Sequence, residues 1–299
     1  MTTVSLVLGS GGARGYAHIG AIEEIQRRGY DIVSISGSSI GALIGGMYAA
    51  GTLTEYKDWV CTLSWMKVVR LLDFTLSRGA IRGDRLFIQL ANILGTNNIE
   101  DLPISFTAVA TDLTHQKEVW YQRGPLLDAI RASIAVPGLF TPVSKDGRIL
   151  VDGGVLNPLP IIPVVAAQAD LIIAVDLNTG DSSHTHLKFP SNEYLDRSGM
   201  SDEWVMPESD SVVNDEEKAQ EAPLPEMRGR MDILFNSVEV MQASLAEYKI
   251  AGYPPDLIIR IPKELCSFYE FHRAVEVVEY GRLATRDKLI ALENGDPIN

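Results

Sequence analysis

Two short apolar runs near the start of the chain, Thr3–Leu8 and residues 32–36, each lead into a glycine-bearing turn and then a helix-length stretch. That arrangement constrains the fold more than any other feature. A strand, a loop over residues 9–15, a helix through residue 28, a second strand and a helix over 39–50 make a β-loop-α-β-α unit. A crossover of that length sets the two strands side by side and parallel. Such strands are buried on both faces, so later apolar runs should extend the same sheet. Strands are expected at 104–113, 148–151, 171–177 and 257–261, with a hairpin return at 117–122. Helices are expected at 126–133, along Leu234, Val238, Met241, Leu245 and Tyr248, and at 271–292. The predicted fold class is α/β, a mostly parallel central sheet covered by helices on both faces.

A chain of 299 residues, 46% hydrophobic and 22% charged, has enough apolar material for one large globular domain spanning residues 1–299. Two cysteines, Cys61 and Cys266, are too few for a disulfide framework and fit a reducing compartment. The apolar run at the start is short and Arg14 follows rather than precedes it, which does not make a secretory signal. Residues 33–54 carry no charge, but their serines and glycines cluster at a strand–helix turn and speak for a buried βα unit, not a membrane span. The expected location is cytoplasmic, with at most a peripheral position at a membrane.

The formal net charge is −13, and residues 178–226 alone carry −9 of it. That stretch has little periodicity and reads as an acidic polar loop insertion, a natural docking element for a protein partner. No basic cluster offsets it, which argues against nucleic acid as a partner. Residues 52–82 are instead apolar, with Trp59, Trp65, Met66, Val68, Val69, Leu71, Leu72 and Phe74. They read either as helices packed on the sheet or as an apolar wall beside a site.

Chemistry concentrates at three places. The loop Gly9-Ser10-Gly11-Gly12-Ala13-Arg14-Gly15 opens a helix, where backbone amides and the helix dipole favour negative charge. A dinucleotide fingerprint starting at Gly9 would need glycine at Arg14, and the second strand ends in Ser36 instead of an acidic ribose ligand. No Gly-Lys-Ser/Thr follows for a Walker loop. The oxyanion of an acyl-transfer intermediate fits better. Gly37-Ser38-Ser39-Ile40-Gly41 has the G-x-S-x-G pattern of a nucleophile elbow at a strand–helix turn, although a serine there also serves as an ordinary N-cap. In a parallel sheet both loops lie at the same carboxyl edge. Asp152-Gly153-Gly154 ends a later strand, either as an Asp-Gly turn or as a carboxylate base within reach of Ser39. The five histidines, His18, His115, His184, His186 and His272, are poorly placed for a Ser-His-Asp triad, with His272 the one a triad could recruit.

These elements, in this order, resemble the patatin-like phospholipases, particularly their compact bacterial members. The resemblance runs from Val4 to Asn178 and weakens in the late strand and last helix. It implies Ser39 as nucleophile and Asp152 as base of a Ser–Asp dyad, with the amides around Gly11, Gly12 and Ala13 as oxyanion hole. Gly37 and Gly41 would shape the elbow, Gly153 and Gly154 would support the base, and Arg14 and Gly15 would support the loop. Arg14 could instead meet a substrate phosphate. The family's first loop glycine is Ser10 here. The implied activity is hydrolysis of fatty-acyl esters of lipids, by a phospholipase, lysophospholipase or carboxylesterase, with no metal or cofactor and with transient membrane or micelle contact. A regulatory binding protein that keeps the hydrolase fold is the alternative.

Overall fold

The computed structural model describes residues 1–72, 83–179 and 230–295. Its centre is an eight-stranded sheet in the order β5-β6-β3-β2-β1-β7-β8, with β4 paired to β3. Strands β1 (Thr3–Leu8), β2 (Asp31–Ser38), β3 (Ser105–Asp112), β7 (Leu171–Thr179) and β8 (Leu257–Pro262) run parallel to one another. The antiparallel part is β4 (Lys117–Tyr121) and the hairpin β5 (Val143–Lys145) and β6 (Arg148–Asp152). β1 is buried without a break from Val4 to Leu8, as a strand covered on both faces must be.

Alternate residues of β1 and β7 feed two cores. Leu6, Leu8, Ile173, Val175 and Leu177 join the large core with α1 (Ala17–Arg27), α2 (Ile40–Ala49) and α9 (Ala274–Asn294). Val7 and Ala174 face the other way, onto Leu159, Val164 of α7 (Ile162–Val165) and Ala246 of α8 (Arg230–Gly252). Helices therefore cover both faces. Beside α2, the large core continues into α3 (Leu53–Cys61), α5 (Asp84–Leu94) and α6 (Leu126–Ser133), with α4 (Trp65–Leu72) next to α5. Among the described residues, no helix is long and apolar enough to cross a membrane.

One register detail brings two strand ends together. β3 pairs β4 along Ala108–Asp112, so β2 and β6 must share its opposite edge. β2 occupies that edge up to Ser38, which pairs with Val109, and β6 arrives from the opposite direction with Asp152 on Ala110. The carboxyl ends of two strands thus meet tip to tip along one edge of β3.

Two expectations shift at their boundaries. Residues 178 and 179 finish β7 instead of opening the acidic stretch, and the last α-helix begins at Ala274 after a short 3₁₀ turn at Phe271–Arg273. The rest of the acidic loop, with His184 and His186, lies outside the described residues, as does Phe74.

Candidate active site

Ser39 follows the last residue of β2 and caps α2, with φ 57° and ψ −126°. That conformation is strained for a residue with a Cβ and holds only where the surroundings fix it. Here they do. The backbones of Gly37 and Gly41 lie against each other, and a Cβ on Gly41 would run into the Leu8 carbonyl. The Ser39 N–H donates to Ser133 Oγ at 2.9 Å, and that hydroxyl donates to the Val109 carbonyl at 2.6 Å. The Ser39 hydroxyl makes no capping bond to α2, so its N-cap position leaves the side chain free for another partner. It donates to Asp152 Oδ2.

Asp152 is buried, and its two carboxylate oxygens divide the two roles its sequence context allowed. Oδ1 accepts the Gly154 N–H at 2.7 Å and caps the turn Gly153–Val155, while Oδ2 accepts the Ser39 hydroxyl. Its own N–H donates to Ala135 at 3.0 Å. Burial pushes the carboxyl up to about 7, against the opposing pull of the bonds from Ser39 and Gly154. Gly153 is required by contact, since a Cβ there would strike the Val109 carbonyl and the Ser38 hydroxyl. Beside Gly154 lie Gln242 Nε2 of α8 and Ser10 Oγ, the nearest atoms that an added Cβ would meet.

The glycine loop runs alongside. Ser10 N–H donates to the Pro158 carbonyl at 2.8 Å, and Gly12 has φ +59°. The Ala13 amide, expected as an oxyanion donor, already donates to the Phe268 carbonyl at 2.8 Å. That corrects the expectation for Ala13, because one N–H well aligned to a carbonyl is not free for a second anion. It leaves the amides of Gly11 and Gly12, for which no acceptor is found among the described residues. Arg14 is buried with its guanidinium on the loop and its surroundings: Nε to Gly11 O at 3.2 Å, Nη1 to Lys263 O at 3.3 Å and Nη2 to Glu239 at 2.5 Å. Each of its three nitrogens thus holds a protein acceptor of the loop or its surroundings. Gly15 packs against Ile40 at the start of α2.

No described histidine is hydrogen-bonded to Ser39 or Asp152. His18 is buried and donates Nε2–H to the Gly9 carbonyl at 2.8 Å, and burial lowers it to about 4, so it stays neutral at neutral pH. His115 binds Asp112, and the His272 ring meets Trp65 edge-on. Among the described residues, no group of three or more His, Cys, Asp or Glu side chains is placed to hold a metal ion.

Ser39 opens onto a pocket of about 680 Å³, counting its open mouth, with walls almost wholly apolar. Tyr16, Leu43, Tyr56, Trp59, Phe140 and Phe268 are among its lining. Trp59, Leu63, Val68 and Leu71 come from the 52–82 stretch, so the described part of that stretch both packs on the large core and forms one wall of the pocket. Phe268 ties several parts together: it stacks on Phe235 of α8 at 5.6 Å, lines the pocket and accepts the Ala13 amide.

The Patatin family model, described as patatin-like phospholipase, matches residues 6–165, more than half of the chain. The chain belongs to the patatin-like phospholipase family. Uncharacterized NTE family proteins of Mycobacterium tuberculosis and Mycobacterium bovis are 42% identical to this patatin-like chain over 98% of its length and 93% of theirs. Lysophospholipase NTE1 of Debaryomyces hansenii is 33% identical over 60% of this chain and 12% of that protein. The crystal structure of VipD from Legionella pneumophila is similar with a TM-score of 0.49 and 18% identity, over 62% of this chain and 51% of that one. Membership makes hydrolysis of lipid esters the activity at family level.

Ser133, Phe268, Gln242 and Glu239 belong to this patatin-like site, and sequence reading missed all four. Ser133 ends a helix before Val136-Pro137-Gly138 and looks like any helix-terminal serine. The other three reach the site from α8 and from the segment between β8 and α9, far along the chain, with no local pattern to mark them.

Proposed function

We propose that this patatin-like protein cleaves fatty-acyl esters of lipids through a Ser39–Asp152 dyad. The observation that carries the reading is the hydrogen bond from the Ser39 hydroxyl to a buried carboxylate raised to about 7, at the mouth of an apolar pocket. A carboxylate of that basicity is poised to accept a proton near neutral pH, which an ordinary aspartate is not. Asp152 takes the Ser39 proton as Oγ attacks the ester carbonyl. The amides of Gly11 and Gly12 receive the negative charge that develops on the carbonyl oxygen. Asp152 returns its proton to the leaving alcohol, and an acyl-serine remains. Water then attacks, Asp152 takes its proton, and the fatty acid departs as Ser39 recovers its hydrogen.

The pocket's almost wholly apolar walls suit an acyl chain. The similarity to a lysophospholipase makes single-chain phospholipids the first substrates to try. An organophosphonate ester probe followed by mass spectrometry tests the nucleophile. We expect one adduct on Ser39 in the wild-type protein and none in Ser39→Ala. A folded wild-type protein that takes no label, or takes it elsewhere, overturns the dyad.

A further inference from the structure

α4 is a two-sided wall. Val68 and Leu71 face the pocket, while Trp65, Met66 and Val69 are exposed to solvent by 55%, 67% and 36%. Lys67 and Arg70 are exposed on the same helix, which carries no acidic residue. The patch continues onto α5, where Arg85 Nη1 lies 3.5 Å from the Arg70 carbonyl and Ile88, one turn further, is 62% exposed. Asp84 is the single acidic residue of the two helices. A chain of net charge −13 thus places three cations among its exposed large apolar side chains at this one wall.

Exposed tryptophan and aliphatic side chains interleaved with Lys and Arg are what an interfacial helix presents to lipid. The apolar groups enter the headgroup–acyl boundary and the long cationic stems reach back to anionic headgroups. A second copy fits this patch badly, because a two-fold interface would set its cations against their own symmetry mates. The pocket lies directly behind α4. Insertion of the outer face would bring the acyl wall within about one helix diameter, roughly 10 Å, of the lipid.

We propose that the outer face of α4, extended by Arg85 and Ile88, docks this protein on anionic lipid surfaces. The choice of partner rests on the lipid-ester reading above, but the measurement does not, because vesicle binding needs no turnover. Ser39→Ala protein is titrated with phosphatidylcholine vesicles with and without phosphatidylglycerol, and bound protein is read by co-sedimentation. The expected result is binding that requires phosphatidylglycerol and weakens with added salt. Lys67→Glu with Arg70→Glu should lower the affinity at least about 25-fold, taking about fivefold for each cation near an anionic surface. Met66→Asp with Val69→Asp should abolish binding. In the wild-type Ser39 background, both double variants should hydrolyse a short water-soluble ester at the parent rate, which certifies their fold. Parent-like vesicle binding by the variants, no binding by the parent, or a concentration-dependent dimer dissolved by Met66→Asp overturns the proposal. Vesicle binding of the expected pattern without ester hydrolysis would leave the docking face standing and remove the hydrolase reading instead.

Discussion

Replacing Asp152 by Asn separates the charge of the site from its shape. The amide keeps an oxygen for the Gly154 N–H and a nitrogen within reach of Ser39 Oγ, so the turn and the elbow retain partners. What disappears is a buried carboxylate held at about 7 against an ordinary 3.8. The native state therefore binds the proton more tightly than the unfolded chain, and stability falls as pH rises between those two values. Three units at 1.36 kcal/mol each set a ceiling of about 4 kcal/mol, of which relaxation of the site should leave about half. Asp152→Asn should thus be more stable than wild type by about 2 kcal/mol above pH 7, roughly 3 °C in Tm for a chain of 299 residues, and indistinguishable from it near pH 4. The same variant should lose about 10²–10⁴-fold in kcat/KM. In the wild type, kcat/KM on a soluble ester should climb with pH and level off with a midpoint near 7. Thermal melts and initial rates across pH 4–9 read both curves. A pH-independent difference in Tm, or an activity midpoint near 4, would refute the idea that one desolvated carboxylate controls both.

Ser133→Ala removes the acceptor of the Ser39 N–H and the donor to Val109, two buried bonds. It should cost about 1–3 kcal/mol in urea denaturation and lower kcat more than it raises KM. Ser39→Gly should be more stable than Ser39→Ala by about 1 kcal/mol by the same measurement, because glycine relieves the positive φ; equal stabilities would mean that the elbow stores no strain. Arg14→Met leaves the Gly11 and Lys263 carbonyls and Glu239 without their partner, and should cost about 2–3 kcal/mol. With its role confined to the loop, KM for neutral and phosphate-bearing esters should change by the same factor; a selective loss for phosphate esters would contradict that role.

The three motifs were legible because each sits where an apolar run stops, and such stops lie at one edge of a parallel sheet. Asp152 was legible for a related reason: Asp146-Gly147 marked a hairpin whose second strand had to end near it. The fate of the Ala13 amide was not, since its acceptor is the carbonyl of Phe268, and backbone acceptors leave no mark in a side-chain pattern. Ser133 was hidden similarly, as both of its bonds go to main-chain groups. For α4 the sequence left open helices packed on the sheet or an apolar wall beside a site, and a sequence of eight residues does not say which of its apolar positions turn outward.

The tip-to-tip meeting of β2 and β6 on β3 has a consequence for what an activity measurement reports. Neither strand pairs with the other: β3 is the one strand that both are registered on, and Ser39 and Asp152 come within bonding reach only when both of those pairings are complete. A species in which the β5–β6 hairpin has peeled away would keep the five parallel strands, the elbow and nearly all of its circular dichroism, yet carry a nucleophile with no base. Turnover is therefore a stricter gauge of nativeness than any spectroscopic average, and a preparation that loses it before it melts has opened at this seam.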